Sequence, residues 1–139
     1  MPKSVAQKMG IKKDARAIVI DAPTAVFKAI GLKELILASR LTGDFDHIHF
    51  FAESVLQLTK KFPALKSHLR PTGMLWISWR KGGKQKSDLT LTKIIEIGYD
   101  HGLVESKTLS VDAIWSAIKF THPKMGKIYN NSYGTLKES

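Results

Sequence analysis

Short apolar runs recur along the chain, and each is bounded by residues that favour turns. Residues 16–20 (RAIVI) and 34–39 (ELILAS) are almost continuously apolar, whereas residues 46–51 (DHIHFF) and 74–79 (MLWISW) are rich in aromatic side chains. Continuous apolar character over about four to six residues is typical of strands buried on both faces, as in parallel sheets. The pattern therefore predicts four core strands.

Three further segments place apolar residues at three- and four-residue steps, the spacing of one helix face. These segments are residues 24–30, 54–69 and 89–99. Pro63 lies inside the second of them, and we expect it to bend or split that helix because proline removes a backbone donor. The pattern thus predicts helices after the first, third and fourth strands.

The end of the chain has a different pattern. Residues 103–109 and 114–120 are strand-like, and only four residues separate them. Such a short connection cannot make a parallel crossover, so the pair is expected to form an antiparallel hairpin. We therefore predict one domain over residues 1–120 and a basic C-terminal tail, rich in Gly, Asn and Ser, over residues 121–139.

The predicted order of elements is β-α-β-β-α-β-α-β-β. Right-handed crossovers would place helices on both faces of the sheet. We predict a single small, doubly wound, Rossmann-like α/β domain with a mostly parallel sheet and a C-terminal antiparallel hairpin. In such sheets ligands bind outside the carboxyl ends of the strands.

Composition excludes several kinds of chemistry. The 139 residues include no cysteine, which excludes disulfides, thiolate metal sites and a cysteine nucleophile. No apolar run approaches the roughly 20 residues of a transmembrane helix, and the first residues lack the apolar core of a signal peptide. We therefore expect a cytoplasmic protein that does not enter the membrane.

The net charge is strongly positive, because 22 Lys and Arg stand against 12 Asp and Glu to give +10. The cations are concentrated in residues 1–16, 60–70 and 80–93. Such a surface would attract small anions, nucleic acid or an acidic protein partner. Lysine-rich faces that only keep a protein soluble have the same composition. Both interpretations stay open, as does the oligomeric state.

Two stretches resemble the second half of a class I methyltransferase. Residues 41–51, LTGDFDHIHFF, are similar to the family's GxFDhV strand, and residues 69–81, LRPTGMLWISWRK, are similar to its LKPGGxLhhS turn and strand. The terminal hairpin is in the family's usual place. The resemblance implies the sheet order 2-1-3-4-6-5, which is the methyltransferase sheet with one strand-helix unit missing.

The chain as a whole more closely resembles a small bacterial domain-of-unknown-function family. That family combines an LGIKxGxRVhhhxAP opening with a VDxxWSxLKF ending, and the matching residues are MGIKKDARAIVIDAP (9–23) and VDAIWSAIKF (111–120). The resemblance covers roughly residues 7 to 120. It supports the fold and implies no particular activity.

The cofactor-binding positions of a methyltransferase are not matched. The family has a glycine-rich turn after its first strand, where the backbone approaches the cofactor, whereas residues 21–24 read DAPT. It also has an acid at the end of the second strand to accept ribose hydroxyls, whereas Ser39 and Arg40 stand here. A guanidinium cannot accept those hydrogen bonds. We therefore do not expect S-adenosylmethionine to bind in the way it binds to methyltransferases, and we predict no cofactor.

The rule that ligands bind at the carboxyl ends of strands yields a set of candidate ligand-binding residues. The set is Asp21, Arg40, Glu53, Trp79, Arg80, Lys81, Lys84, Asp112, Trp115 and Ser116. Asp21 could instead cap the following helix, and Asp112 could instead hold the hairpin turn through backbone amides. The tryptophans, including Trp76, could stack on a base or fill a core.

Two other patterns have a structural and a functional interpretation. Residues 80–86 (RKGGKQK) precede a predicted helix N-terminus and carry four cations and two glycines. They favour a phosphate site, although an exposed loop has the same composition and no GxxxxGK[ST] motif is present. His47 and His49 share one face of a strand, but their apolar surroundings favour a core or hydrogen-bonded role over metal binding.

No Ser-His-Asp arrangement, paired catalytic carboxylates or HExxH motif supports an enzyme. Three hypotheses follow: a non-catalytic binding or regulatory module, a small-anion or nucleotide-binding protein or enzyme that uses the strand ends, and a nucleic-acid-binding protein. The second requires Asp21, Arg80 and Asp112 to face one cavity. The third requires the basic segments to share one face.

Overall fold

Five strands form one sheet within the residues that the computed structural model describes, which are 4–12, 14–30, 37–82 and 87–124, without the side chains of 27–29. The strands are β1 (Ala17–Ile20), β2 (Phe45–Phe51), β3 (Leu69–Arg80), β4 (Val104–Ser110) and β5 (Trp115–Thr121). Their order is β1-β2-β3-β5-β4. The first three are parallel, and β5 runs antiparallel to both of its neighbours.

The predicted sheet order is confirmed. Leu37, from the predicted second strand, forms a parallel bridge with Ala17 of β1. Ala17 also pairs with His47 of β2, so Leu37 lies on the opposite side of β1. The rest of that predicted strand before Leu37 lies outside the described residues. The terminal hairpin inserts its second strand, β5, beside β3 as expected.

Helices cover both faces of the sheet, as a doubly wound domain requires. They are α1 (Val5–Met9), α2 (Thr24–Ile30), α3 (Val55–Ser67) and α4 (Leu91–Asp100). One core lies under α1 and α2, and the other lies under α3 and α4. The first is built around Met9, Val26, Ile30, Phe51, Trp76 and Trp115, and the second around Ile48, Phe50, Leu58, Phe62, Ile94 and Phe120.

Side-chain caps explain where the two longer helices begin. The Ser54 hydroxyl accepts a bond from the Gln57 backbone N–H before α3, and the Thr90 hydroxyl accepts one from Lys93 before α4. These bonds satisfy amide groups that have no partner inside a helix. α3 starts just after β2 at the carboxyl edge of the sheet, and the bond from the Ser87 hydroxyl to the Glu53 carbonyl brings the start of α4 to the same edge.

Pro63 was expected to bend or split its helix, and the structure shows that it does not split it. α3 is continuous from Val55 to Ser67 with Pro63 inside it. Phe62 and Leu65, on either side of the proline, are fully buried against the sheet. Because this packing stabilises the helix by several kcal/mol (about 1.5–3 for each large side chain), it offsets the loss of one backbone hydrogen bond.

Some boundaries differ from the sequence pattern. β3 begins at Leu69 rather than at residue 74, because a polar, exposed extension containing Arg70 and Thr72 precedes its buried half. β5 ends at Thr121, one residue beyond the predicted domain boundary, and residues 125–139 of the predicted tail lie outside the described residues. Over the described ranges, no helix has both the length and the apolar character needed to cross a membrane.

Candidate functional site

The carboxyl edge of the sheet gathers most of the predicted site residues. Asp21 follows β1, Glu53 follows β2, and Arg80 ends β3. Since β5 is antiparallel, its first residue, Trp115, lies at this same edge opposite Arg80. The strand-end rule therefore places these four side chains at one edge, and their contacts decide whether they form a pocket.

Arg80 bonds to Glu53 and contacts the Trp115 ring. Its Nε lies 3.3 Å from Glu53 Oε2 and its Nη2 lies 3.4 Å from Oε1, with both side chains about half exposed at 40% and 53%. The guanidinium carbon also lies 4.7 Å from the centre of the Trp115 ring. Arg80 thus links the ends of β2 and β3 to the start of β5.

The hairpin turn is held by a second set of bonds. One carboxylate oxygen of Asp112 accepts the backbone N–H groups of Ile114 and Trp115, both at 2.8 Å. Lys81 Nζ donates to the Ser110 hydroxyl at 2.6 Å, and that hydroxyl donates to the Asp112 carbonyl at 3.2 Å. The turn-holding interpretation of Asp112 is confirmed, and Lys81 is part of the same structure.

The tryptophans mainly fill the core. Trp76 and Trp115 are buried with 0% and 1% exposure in the core beneath α1 and α2. Trp79 is partly buried and packs against the core beneath α3 and α4. It pairs with Ser116, which is also partly buried, in the β3–β5 ladder. The core interpretation is therefore confirmed for Trp76 and Trp115.

Asp21 has an unusual backbone conformation. Its φ of 61° is the only positive φ at a non-glycine residue within the described ranges. Such a conformation costs an L-residue roughly 1–2 kcal/mol, although aspartate tolerates it better than most. Among the described residues, no backbone N–H of α2 donates a hydrogen bond to the Asp21 carboxylate, so the capping interpretation has no support there.

A small cavity of about 270 Å³ lies beside Asp21 on the side of α3. Its lining residues are Asp21, Phe50, Gln57, Lys60 and Lys61. The Gln57 side-chain oxygen is already used, since it accepts the Glu53 backbone N–H at 2.6 Å. The cavity therefore offers one carboxylate, two ammonium groups and the Gln57 amide NH2 group to a ligand.

The candidate residues do not converge on that cavity. Neither Arg80 nor Asp112 lines it, because Arg80 points to the face of α1 and α2, where Trp115 lies, whereas the cavity lies on the α3 face. Arg40 is exposed and has no ion-pair partner in the described part of the chain. Lys84 lies outside the described residues, as does the predicted loop 80–86 from residue 83 onward.

His47 and His49 lie in the core beneath α1 and α2, and both have 0% exposure. His49 Nε2 lies 2.6 Å from the Ser78 hydroxyl, and its ring stacks on Phe51 at 4.4 Å. Neither ring nitrogen of His47 has a partner among the described residues. Burial lowers the pKa of His47 to about 3, and burial next to His47 lowers the pKa of His49 well below its ordinary value.

This arrangement confirms the core or hydrogen-bonded interpretation of the two histidines. No group of three or more metal-binding side chains occurs in the ranges that the structure covers. A buried imidazole must stay neutral, because burial penalises its charged form. The two neutral histidines therefore make the stability of the fold depend on pH.

Sequence reasoning missed a larger cavity of about 440 Å³ at the opposite, amino edge of the sheet. It is lined by Gly10, Lys12, Asp14, Ala15, Asp46, Arg70, Thr72 and Met74. Asp46 accepts the Arg16 backbone N–H at 2.8 Å, and both its oxygens accept from Arg70 at 2.9 Å. These bonds hold the pKa of Asp46 below its usual value. The only feature of the sequence that pointed to this cavity was the concentration of cations in residues 1–16.

Solved structures share this architecture at low sequence identity. The ribosomal protein L11 methylase of Lactobacillus delbrueckii subsp. bulgaricus aligns over 86% of this chain and 76% of its own, with 13% identity and a TM-score of 0.59. Magnesium protoporphyrin IX methyltransferase of Synechocystis, solved with bound SAM, aligns over 85% and 74% with 9% identity and a TM-score of 0.61. The fold of this chain resembles that of these methyltransferases. A TehB-like SAM-dependent methyltransferase of Corynebacterium glutamicum covers 88% of this chain and 89% of its own, with 12% identity and a TM-score of 0.55.

The likeness concerns the methyltransferase fold alone. No protein-family model matches the sequence, and no curated protein matches it. The expected methyltransferase-like scaffold is thus confirmed by structure, while activity has to be argued from the residues that occupy the scaffold.

Proposed function

We propose that the protein is a non-catalytic binding or regulatory module built on a methyltransferase-like scaffold. It would comprise one cytoplasmic domain, residues 1–120, followed by a basic tail, residues 121–139. The observation that carries the proposal is the bonding at the carboxyl edge. Arg80 is paired with Glu53 and stacked on Trp115, and Asp112 is committed to the hairpin turn.

The start of the scaffold supports the same conclusion. A cofactor that lies against the turn after β1 needs a backbone without a side chain in the way. Here Asp21 occupies that turn with an exposed side chain and a φ of 61°. Arg40 offers only donors where ribose hydroxyls would need an acceptor. These two positions disfavour a cofactor bound as in methyltransferases.

A second candidate function is supported by the cavity next to Asp21. Lys60 and Lys61 line it together with a residue in a strained conformation. Strained residues concentrate at functional sites, since the surrounding structure must stabilise them. A small anion or nucleotide held by the two lysines would fit this cavity, with Asp21 accepting a hydroxyl or amine of the same ligand.

A titration of the full chain with S-adenosylmethionine and S-adenosylhomocysteine tests the proposal. We expect no heat by calorimetry and no change in the thermal midpoint. A ligand at about 100 times its dissociation constant would add about 2.7 kcal/mol, which moves the midpoint by several degrees. A shift of that size with either compound would overturn the non-catalytic assignment.

The same assay separates the second candidate from the first. The ligand panel then contains nucleoside mono- and triphosphates, and the variant is Lys60→Gln/Lys61→Gln. A nucleotide-induced shift that disappears in this variant would support the cavity next to Asp21. A shift that remains in the variant would place the ligand elsewhere and remove the support for this candidate.

A further inference from the structure

Two lysines lie directly opposite each other in the terminal hairpin. Lys107 of β4 and Lys119 of β5 are Cα partners in the antiparallel ladder. Lys119 is also the partner of Trp76 in β3, and its ammonium group lies 6.0 Å from the Trp76 ring centre. Because side chains alternate across a strand, both lysines project to the face that α1 covers.

A third lysine lies beside this pair. Lys107 Nζ donates to the backbone carbonyl of Lys8, in α1, at 2.9 Å. This bond brings the end of α1 against β4 and places the backbone of Lys8, whose side chain is exposed, next to Lys107. Like charges placed directly opposite each other on neighbouring strands destabilise a sheet by roughly 0.2–1 kcal/mol. The arrangement therefore has an energetic cost in the isolated protein.

Nearby carboxylates do not offset this charge. Lys8, Lys107 and Lys119 form no ion pair within the part of the chain that the structure describes. The acid of β4, Glu105, projects to the opposite face, where it accepts a bond from Tyr99 of α4 at 3.0 Å. A register shift between Glu105 and Lys107 produces this separation of charges between the two faces. An anionic ligand would supply the missing counter-charge.

The 440 Å³ cavity at the amino edge continues the same surface. Met74, which lies two residues before Trp76 on the same face of β3, lines it together with Lys12, Arg70 and Thr72. Its volume lies within the range of small-molecule sites. Two acids line the cavity, Asp46 and Asp14. Asp46 is bonded to Arg70 and to a backbone N–H.

We propose that this surface binds phosphate groups. It consists of Lys8, Lys12, Arg70, Lys107 and Lys119, and we call it the amino-edge cationic cluster. Five cations against two acids give a net positive field, and the ammonium, guanidinium and Thr72 hydroxyl groups are the donors that phosphate oxygens accept. The inference rests on the proposed binding role and places that role at the sheet edge opposite the methyltransferase cofactor edge.

The two other basic regions lie elsewhere. Lys60 and Lys61 are on α3, which covers the opposite face of the sheet, and Arg80 and Lys81 are at the carboxyl edge. As far as the structure describes them, the basic segments of the sequence therefore do not share one face. A binding site limited to the amino-edge cationic cluster must respond to charge changes there. It must not respond to an equal change of charge on α3 and α4 at cations outside the cavity next to Asp21, and this contrast supplies the control.

The test uses the full chain and fluorescence anisotropy of a fluorescein-labelled 12-nucleotide oligouridylate, with pyrophosphate and ATP as unlabelled competitors. The variant is Lys107→Gln/Lys119→Gln, and the matched control is Lys66→Gln/Lys93→Gln on α3 and α4, which removes the same charge from the opposite face. We expect at least a tenfold loss of affinity in the variant and less than a twofold loss in the control. The slope of log K against log salt should also fall by about 1.4, since each single-strand phosphate contact contributes about 0.7.

Equal losses in the two double variants would overturn the proposal, as would the absence of binding by the oligouridylate, pyrophosphate and ATP. Competition by pyrophosphate or ATP would support a small phosphorylated ligand, whereas binding without competition would support a nucleic-acid backbone. If Lys107→Gln/Lys119→Gln does not fold, Lys12→Gln replaces it. A severalfold loss of affinity is then expected, and an unchanged affinity would refute the proposal. Binding of S-adenosylmethionine would contradict the proposed function without altering this comparison, so the two failures are distinguishable.

Discussion

Acid should destabilise the fold through the two histidines buried in β2. In an unfolded chain a histidine takes up a proton near pH 6.5, whereas burial lowers the pKa of His47 to about 3 in the folded protein. The stabilising contribution of neutral His47 is therefore fully present above pH 6.5. It is lost as the pH falls from 6.5 toward 3, because the unfolded state then binds a proton that the folded state excludes.

The size of the effect follows from the two pKa values. At pH 5 the protonated form of an unfolded histidine exceeds the neutral form by about 30-fold, which favours unfolding by about 2 kcal/mol for His47 alone. His49 adds to the loss in the same direction, since its pKa is also lowered well below the ordinary value. A domain of this size has a total stability of about 5–15 kcal/mol, so the change is a large fraction.

Urea unfolding followed by tryptophan fluorescence at pH 7, 6 and 5 measures this effect. In His47→Leu the difference in unfolding free energy between pH 7 and pH 5 should be about 2 kcal/mol smaller than in the wild type, whatever the absolute stability of the variant. The control is Ile48→Val on the same strand, which should lower stability by about 0.5–1.5 kcal/mol and leave the pH dependence unchanged. A His47→Leu variant with the full wild-type pH dependence would refute the argument.

Three further substitutions test the packing and the turns by urea or thermal unfolding. Gly98→Ala should lower stability by about 1–3 kcal/mol or more, since the added Cβ would lie 2.0 Å from Phe120 Cε1; a neutral effect would contradict this contact. Asp112→Ala should cost about 1–2 kcal/mol by removing the acceptor for two backbone N–H groups, and Asp112→Asn, which keeps an acceptor, should recover most of it. Asp21→Gly should raise stability by up to about 1 kcal/mol because glycine adopts a φ of 61° without strain, and a measured loss would show that the carboxylate makes a stabilising contact.

The sheet could be predicted because a strand that is buried on both faces has a continuous run of apolar residues. Continuous apolar runs located β1, β2 and the buried half of β3, and the short connection after residue 109 required the hairpin. The first part of β3 was missed because its residues, such as Arg70 and Thr72, extend past the core and are exposed. A pattern of hydrophobic positions contains no signal for such an extension.

The candidate site was only partly predictable because it depends on contacts between distant residues. The strand-end rule correctly placed Glu53, Arg80 and Trp115 at one edge, but their mutual bonding depends on side-chain directions. The pairing of Lys107 with Lys119 depends on a register shift in the hairpin, and a periodic pattern of residues does not specify such a shift. The backbone conformation of Asp21 likewise depends on the path of the chain after β1.

The position of β5 also determines when this protein can fold during its synthesis. β5 lies between β3 and β4, although it is the last of the described strands to leave the ribosome. Until Trp115–Thr121 has emerged, β3 has one side without a partner, and β4 has no strand to pair with. Nascent chains begin to fold from their N-terminal parts, so the growing polypeptide must pass through a stage with an open apolar sheet edge. Chaperone binding to arrested nascent chains should therefore fall sharply once β5 is released.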